Sequence, residues 1–309
     1  MTPFSDWRCL TTSREAAFVL RAGMEMTVAS RPLRRLTAPT FPREDRIPRL
    51  LHQTFRTREL RPELAASVDA MRRRNPGWEY RFYEDADVAD YIFQNYGPDF
   101  LAYFQALNPK YAAAKADLFR YLVMYRDGGV YLDIKSHATR PLDEVLTPSD
   151  QFLLSHWPDD GEGQHSAWGL HAELRGVPGG EYQQWFIAAA PGHPFMKATI
   201  EAVLRNIRSY SPLTHSIGKP AVLRTTGPIA YTRAIAPIRT QHPHRVVDSQ
   251  DDLGFQYSIY PEQTHEAALG AHYSEVGEAL VGAGSATALA AALRRSVKQL
   301  RHRLRKGSR

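Results

Sequence analysis

Tyr111-Ala112-Ala113-Ala114-Lys115-Ala116-Asp117-Leu118-Phe119-Arg120-Tyr121-Leu122-Val123-Met124-Tyr125-Arg126-Asp127-Gly128-Gly129-Val130-Tyr131-Leu132-Asp133-Ile134-Lys135-Ser136 is the stretch that decides the fold. Its first half predicts a helix. Ala114, Leu118, Tyr121, Leu122 and Tyr125 recur at three- and four-residue spacing, which gives one apolar stripe. Asp117 and Arg120, three apart on another face, leave such a helix in nearly the same direction. Gly128-Gly129 then stops it, because glycine accepts the left-handed conformation that ends helices. Val130-Tyr131-Leu132 reads as a short apolar strand with Asp133 at its carboxyl end. Ligands of open α/β sheets bind beyond the carboxyl ends of the strands. Asp133 therefore stands where a catalytic or metal-binding carboxylate is expected.

Working outward, strands are expected over 49–55, 78–83 and 151–156, with extended chain over 181–189 and short strands at 245–247 and 256–260. Helices are expected over 62–74, 87–94, 98–107, 194–209 and 221–236, the last interrupted near Gly227-Pro228. Pro62 suits a first helical turn. Strand and helix alternate without a repeat, so a single α/β domain is expected. Residues 1–45, broken by Pro32, Pro39 and Pro42, read as a loosely attached arm. Residues 285–306 read as a separate amphipathic helix with Leu289, Ala292, Leu293, Val297, Leu300 and Leu304 on one side and arginines on the other. That helix either packs on the domain or docks on an anionic membrane surface.

Composition narrows the classes. At 309 residues and 43% apolar content, the chain is an ordinary globular one. It holds no run of about 18 apolar residues of the kind that spans a bilayer. Ala16-Ala17-Phe18-Val19-Leu20 is too short for a secretory h-region. Cys9 is the one cysteine, so no intrachain disulfide forms and no thiolate set exists for structural zinc. A reducing, cytoplasmic location follows as the expectation, peripheral on the inner membrane face if the basic helix docks there. The net charge of +6 is concentrated: Arg294 to Arg309 holds eight basic residues and no acidic one, and the rest has 31 basic against 33 acidic. A near-neutral body with a basic tail does not fit a chain-wide nucleic-acid surface.

Ala113, Asp117, Arg120-Tyr121, Gly128-Gly129, Tyr131 and Asp133 together resemble the core of the glycosyltransferases of family 32. In this family the sugar-binding region carries an Asp-x-Asp motif, and relatives include initiation-type mannosyltransferases and the glucosylating clostridial toxins. Ile47-Pro48-Arg49-Leu50-Leu51-His52-Gln53, Asn75-Pro76-Gly77-Trp78-Glu79-Tyr80, Ala190-Pro191-Gly192-His193-Pro194, Thr226-Gly227-Pro228 and His272-Tyr273 resemble flanking family segments in the right order. The resemblance covers about residues 46–275. It implies a GT-A-type, Rossmann-like nucleotide-sugar-binding fold over 46–280, between the arm at 1–45 and the basic helix at 281–309. It also implies transfer of a hexosyl unit, with retention, from a nucleotide diphosphate sugar to a hydroxyl of a carbohydrate, glycolipid or protein acceptor. One position departs from the pattern: Lys135 stands where the family has its second aspartate.

Departure of a diphosphate needs its developing charge neutralised by a metal ion or by fixed cations. Asp133 is the candidate ligand for a divalent Mn²⁺ or Mg²⁺, since hard ions prefer carboxylate oxygen. Lys135 admits three readings. It points away and leaves Asp133 alone on the ion; its ammonium takes over part of the ion's work; or the site is degenerate and only binds nucleotide sugar or carbohydrate. By resemblance Asp117 and Arg120 hold the donor sugar, against the alternative of a plain intrahelical ion pair. His52, Gln53 and Phe55 end the first strand at the same sheet edge, where Phe55 either stacks on the nucleobase or is simply buried. Tyr131 either lines the donor pocket or belongs to the core, and His272 either reaches the diphosphate or is structural. Trp157, His165 and Trp168, in a Gly/Pro-rich loop over 157–180, suit an acceptor lid or anchor that loop. No nucleophile order for a hydrolase and no phosphate-cradling Gly-x-x-x-x-Gly-Lys occurs.

Overall fold

The computed structural model describes residues 33–158, 168–260 and 276–282. The regular elements that frame the site are β1 (Leu50–Thr54), α1 (Pro62–Arg74), β2 (Glu79–Tyr83), α2 (Asp85–Tyr96), α3 (Pro98–Ala106), α4 (Ala112–Arg126), β3 (Gly129–Leu132), β4 (Phe186–Ala189), α5 (Pro194–Arg208), α6 (Lys219–Thr225) and α7 (Pro228–Ile235). Four strands form the main sheet in the order β2-β1-β3-β4. β1 runs parallel to both β2 and β3, and β4 closes the row antiparallel to β3. Two small ribbons, His137–Ala138 with Phe255–Gln256 and Leu153–Leu154 with Arg245–Val246, flank it. This mixed α/β architecture with a parallel core is the fold class read from the sequence.

Both faces of the sheet are buried. Leu51, Val130, Leu132, Phe186 and Ala188 pack with Ala138, Leu142, Val145 and Phe255 on one side. Tyr83, Tyr131, Ile187 and Ala189 pack with α4 and α5 on the other. Parallel strands covered on both faces need near-continuous apolar sequence, as β3 has.

Local signals set the boundaries. Pro62 opens α1, and Leu64, Val68 and Met71 bury its inner stripe. A reciprocal pair between Glu84 and Asp87 caps α2. Asp127 caps α4, and Gly128 and Gly129 follow at φ +65° and +97°. One expectation fails, and α4 is buried well beyond its apolar stripe. α4 has no exposed polar face: every residue from Asp117 to Tyr125 is buried, because the helix is enclosed by the sheet, α5 and α6. Residues 33–45 are irregular but not loosely attached. Tyr103 and Tyr125 donate to the carbonyls of Arg34 and Pro39, Ala38 is buried, and Phe41 packs on Tyr96 and Tyr125. The remainder of the arm and the basic helix at 285–306 lie outside the described residues. Among the described residues no helix is long and apolar enough to cross a membrane.

Two buried histidines predict that acid destabilises the fold. His52 is fully buried, with Nε2 3.0 Å from the Gly128 carbonyl and Nδ1 3.2 Å from the Tyr83 hydroxyl. His193 caps α5 through Phe195 N and meets the Pro243 carbonyl at 3.1 Å. Burial holds each of them down to about 3, from an ordinary 6.5. The unfolded chain takes up protons near pH 6.5 and the fold does not, so stability is full above that pH and falls on the way to pH 3. Between pH 7 and pH 5 each histidine should remove roughly 2 kcal/mol, measured by urea denaturation at the two pH values. Equal stability at both would contradict it.

Candidate functional site

The parallel strands β1 and β3 end side by side, and the chain turns at Asp133. Asp133 N donates to the Trp185 carbonyl at 2.9 Å, and Ser136 N returns to the Asp133 carbonyl at 2.8 Å. From β1, Gln53 Nε2 reaches the same Asp133 carbonyl at 3.2 Å, while the Tyr80 hydroxyl donates to Gln53 Oε1 at 2.9 Å. Gln53 is thus a backbone clamp on the turn. Its side chain is spent there.

Beneath the turn lies Arg120. Its Nη2 is 2.9 Å from Asp133 Oδ1 and 3.4 Å from Asp117 Oδ1, and its Nη1 donates to the Gln184 carbonyl at 2.6 Å. The guanidinium also lies 4.8 Å over the Tyr131 ring, and the Tyr131 hydroxyl meets Asp133 Oδ1 at 3.3 Å. Burial alone works against the Arg120 charge, but Asp133, Tyr131 and Asp117 more than offset it and its pKa is raised. Asp117 accepts from Gln184 Nε2 at 3.1 Å and from Thr226 Oγ1 at 2.8 Å. Burial nevertheless pushes the Asp117 carboxyl up, against the pull of Arg120 and these two donors.

This geometry brings Asp117, Arg120, Tyr131 and Asp133 together but redistributes their roles. Asp117 and Arg120 are 2% and 4% exposed and fully engaged, so neither presents a polar atom to a sugar. They are positioning groups: Asp117 orients Arg120, and Arg120 orients Asp133. Tyr131 is likewise core, with its hydroxyl turned to Asp133. His52 has both ring nitrogens occupied within the fold, which leaves none for a ligand. Asp133 is the carboxylate with access, its side chain 23% exposed.

Lys135 does not point away. Ile134 packs with Leu64 and Val68, and Ile259 N donates to the Lys135 carbonyl at 2.8 Å. These two anchors turn the Lys135 side chain inward, where its Nζ sits 3.6 Å from the centroid of the Tyr257 ring. Burial lowers its pKa to about 8, with Asp133 raising it and Arg120 and Lys219 lowering it further. Tyr257 in turn meets Trp157, Trp168 and Trp185 edge-on at 5.2, 5.9 and 5.6 Å. Glu181 braces this wall by accepting from Trp157 Nε1 at 2.6 Å and pairing with His171 Nε2 at 2.7 Å. Phe55 is half-buried near Ile134, Ile259 and Tyr260 at the same edge. His165 and His272 lie outside the described residues.

A divalent ion fits these residues poorly. Such ions gather several oxygen ligands. Here Oδ1 of Asp133 already serves Arg120 and Tyr131, and the next position of the motif supplies an ammonium. Arg120 and Lys135 bring two fixed cations to the same turn as Asp117 and Asp133. Sequence reading missed Gln184 and Tyr257, which carry no local signal, and gave Thr226 only as part of a flanking family-like segment.

Residues 62–153 match the family model described as "Glycosyltransferase sugar-binding region containing DXD motif". Inositol phosphoceramide mannosyltransferase 1 of Schizosaccharomyces pombe is 26% identical over 192 residues, 60% of this chain and 50% of that protein. Initiation-specific alpha-1,6-mannosyltransferase of Candida albicans is 25% identical over 181 residues, 52% of this chain and 44% of that protein. The chain thus spans about half the length of the curated relatives it matches. A solved structure, PaToxG Glycosyltransferase, aligns with a TM-score of 0.45 at 15% identity, over 87% of this chain and 96% of that one.

Proposed function

We propose that this chain, which carries the sugar-binding region of the DXD glycosyltransferases over residues 62–153, transfers a hexosyl unit from a nucleotide diphosphate sugar to an acceptor hydroxyl. The observation that carries this reading is Asp133, held at the carboxyl end of β3 by Arg120 from beneath and by Gln53 from the side, with a cation beside it. Mannose is the sugar favoured, since the relatives at 25–26% identity are named mannosyltransferases. A carbohydrate or glycolipid acceptor follows from the same names.

In the proposed step the acceptor oxygen bonds to the anomeric carbon as that carbon's bond to the diphosphate oxygen breaks. The bonding pair leaves on the diphosphate, which also takes the acceptor's proton. Attack from the face the diphosphate leaves would retain the anomeric configuration. The leaving group needs no general acid, unlike that of a glycosidase. Asp133 Oδ2, without a hydrogen-bond partner among the described residues, suits a donor-sugar hydroxyl. The wall of Tyr257, Trp157 and Trp168 suits the apolar face of a sugar ring.

The test is to incubate the full chain with mannose, glucose and galactose conjugates of UDP and GDP and with oligosaccharide and inositol-lipid acceptors, then follow transfer by mass spectrometry. A hexosylated acceptor with the donor's anomeric configuration is expected. Binding of a donor with no transfer and no hydrolysis would favour the second reading, a catalytically degenerate nucleotide-sugar-binding protein, for which Lys135 is the supporting observation.

A further inference from the structure

We infer that this chain holds the diphosphate of its donor without a divalent ion, the Lys135 ammonium standing directly against the phosphate oxygens where an ion would otherwise be. The inference rests on the donor-site reading above. Three observations carry it. The first is direction: Ile134 in its apolar cluster and the Ile259 N bond to the Lys135 carbonyl fix the turn, so the lysine enters the site.

The second is an incompletely satisfied charge. Lys135 is 8% exposed, and among the described residues its contact is the face of Tyr257, with no carboxylate at ion-pair distance. An ammonium has three N–H donors and a ring face takes one. A bound oxyanion would supply acceptors that the described residues do not, in charge-assisted hydrogen bonds.

The third is the sign of the field. Arg120 and Lys135 match Asp117 and Asp133 in charge, Arg120 already neutralises the inner oxygen of Asp133, and the exposed Lys219 adds positive potential at Lys135. A dication approaching Asp133 meets Lys135 within the same turn, whereas a diphosphate is drawn in. An aspartate at position 135 would reverse this balance by two charges. Lys135 therefore replaces a carboxylate that helps bind an ion with a cation that needs none.

Calorimetric titration with GDP and UDP separates the outcomes. The measurements use the full chain and its Lys135→Met and Lys135→Asp variants, each with Mn²⁺ and again with EDTA. Free Mn²⁺ is followed in parallel by electron paramagnetic resonance, and melting curves confirm that both variants fold. The wild type should bind one of the nucleotides with affinity changed less than about twofold by EDTA, and should not deplete free Mn²⁺. Lys135→Met, which keeps the packing on Tyr257, should weaken that affinity by about 10- to 100-fold, the range of a charge-assisted hydrogen bond. Lys135→Asp should bind nucleotide only with Mn²⁺ present. Binding by the wild type that requires Mn²⁺, or a Lys135→Met affinity equal to the wild type's, would overturn the inference and leave the donor-site reading standing. Absence of nucleotide binding under every condition would overturn both.

Discussion

Arg120→Leu is expected to lower the unfolding free energy by about 3–5 kcal/mol, the cost of stranding a buried charge. Arg120 joins Asp117, Asp133, the Gln184 carbonyl and the Tyr131 face in one cluster. Leucine fills part of the volume but leaves Asp117, 2% exposed, without its cation. Burial already raises the Asp117 pKa. A raised carboxyl contributes stability in its protonated form, and that stability is lost as pH rises above its ordinary value of 3.8. The deficit of Arg120→Leu relative to the wild type should therefore be smaller at pH 4 than at pH 7. Adding Asp117→Asn should recover most of the loss at pH 7, since a neutral pair carries no stranded charge. Donor turnover should stay depressed in that double variant, because Asp133 then lacks the guanidinium that orients its carboxylate. Urea denaturation of the four proteins measures the cycle, and a single-variant loss under about 1 kcal/mol would contradict the account.

Gly129→Ala is expected to be strongly destabilising. Gly129 opens β3 at φ +97°, a conformation that side chains bearing Cβ rarely adopt. An added Cβ would lie 2.4 Å from the Leu50 carbonyl oxygen and 2.8 Å from Leu50 Cβ. Those atoms belong to the neighbouring strand, so relief requires moving β1 away from β3 and breaking the Leu51–Val130 register. Strained backbone and lost pairing together should cost more than about 4 kcal/mol. Gly176→Ala is the control: it has negative φ and nothing within 4 Å of its added Cβ. Its stability should lie within about 0.5 kcal/mol of the wild type. A folded Gly129→Ala protein as stable as that control would refute the packing argument.

How much of this was legible in the sequence follows from how far each interaction reaches. The helix, its Gly128-Gly129 stop, the short strand and Asp133 at its end are local, and periodicity found them. Asp117 and Arg120 three residues apart do converge, as spacing requires. What spacing lacked was their partners: Gln184 and Thr226 arrive from 67 and 109 residues away. These partners turn the pair inward and make it a support for Asp133, where a sequence reading gives it to the donor. Lys135 was ambiguous for the same reason, since Ile259 and Tyr257 decide its direction from the far end of the domain. His52 looked like a strand-end ligand group, yet it closes onto Gly128, whose carbonyl is freed by the helix stop. The arm at 33–45 reads as detached because prolines remove its periodicity, while its attachment runs through the Arg34 and Pro39 carbonyls and through the isolated side chains of Ala38 and Phe41.

The central claim is that Asp133, oriented by Arg120, forms part of a donor site that turns over a nucleotide diphosphate sugar. Release of nucleoside diphosphate from the six donors by the wild type and by Asp133→Asn tests it most directly. Asn keeps the shape of a side chain that is already partly exposed, so the fold should survive. The account predicts release from one donor by the wild type and a drop of about 10²- to 10³-fold in the variant, the size seen when one preorganised electrostatic group is removed. Equal release by the two proteins, or none by the wild type from any donor, would contradict it.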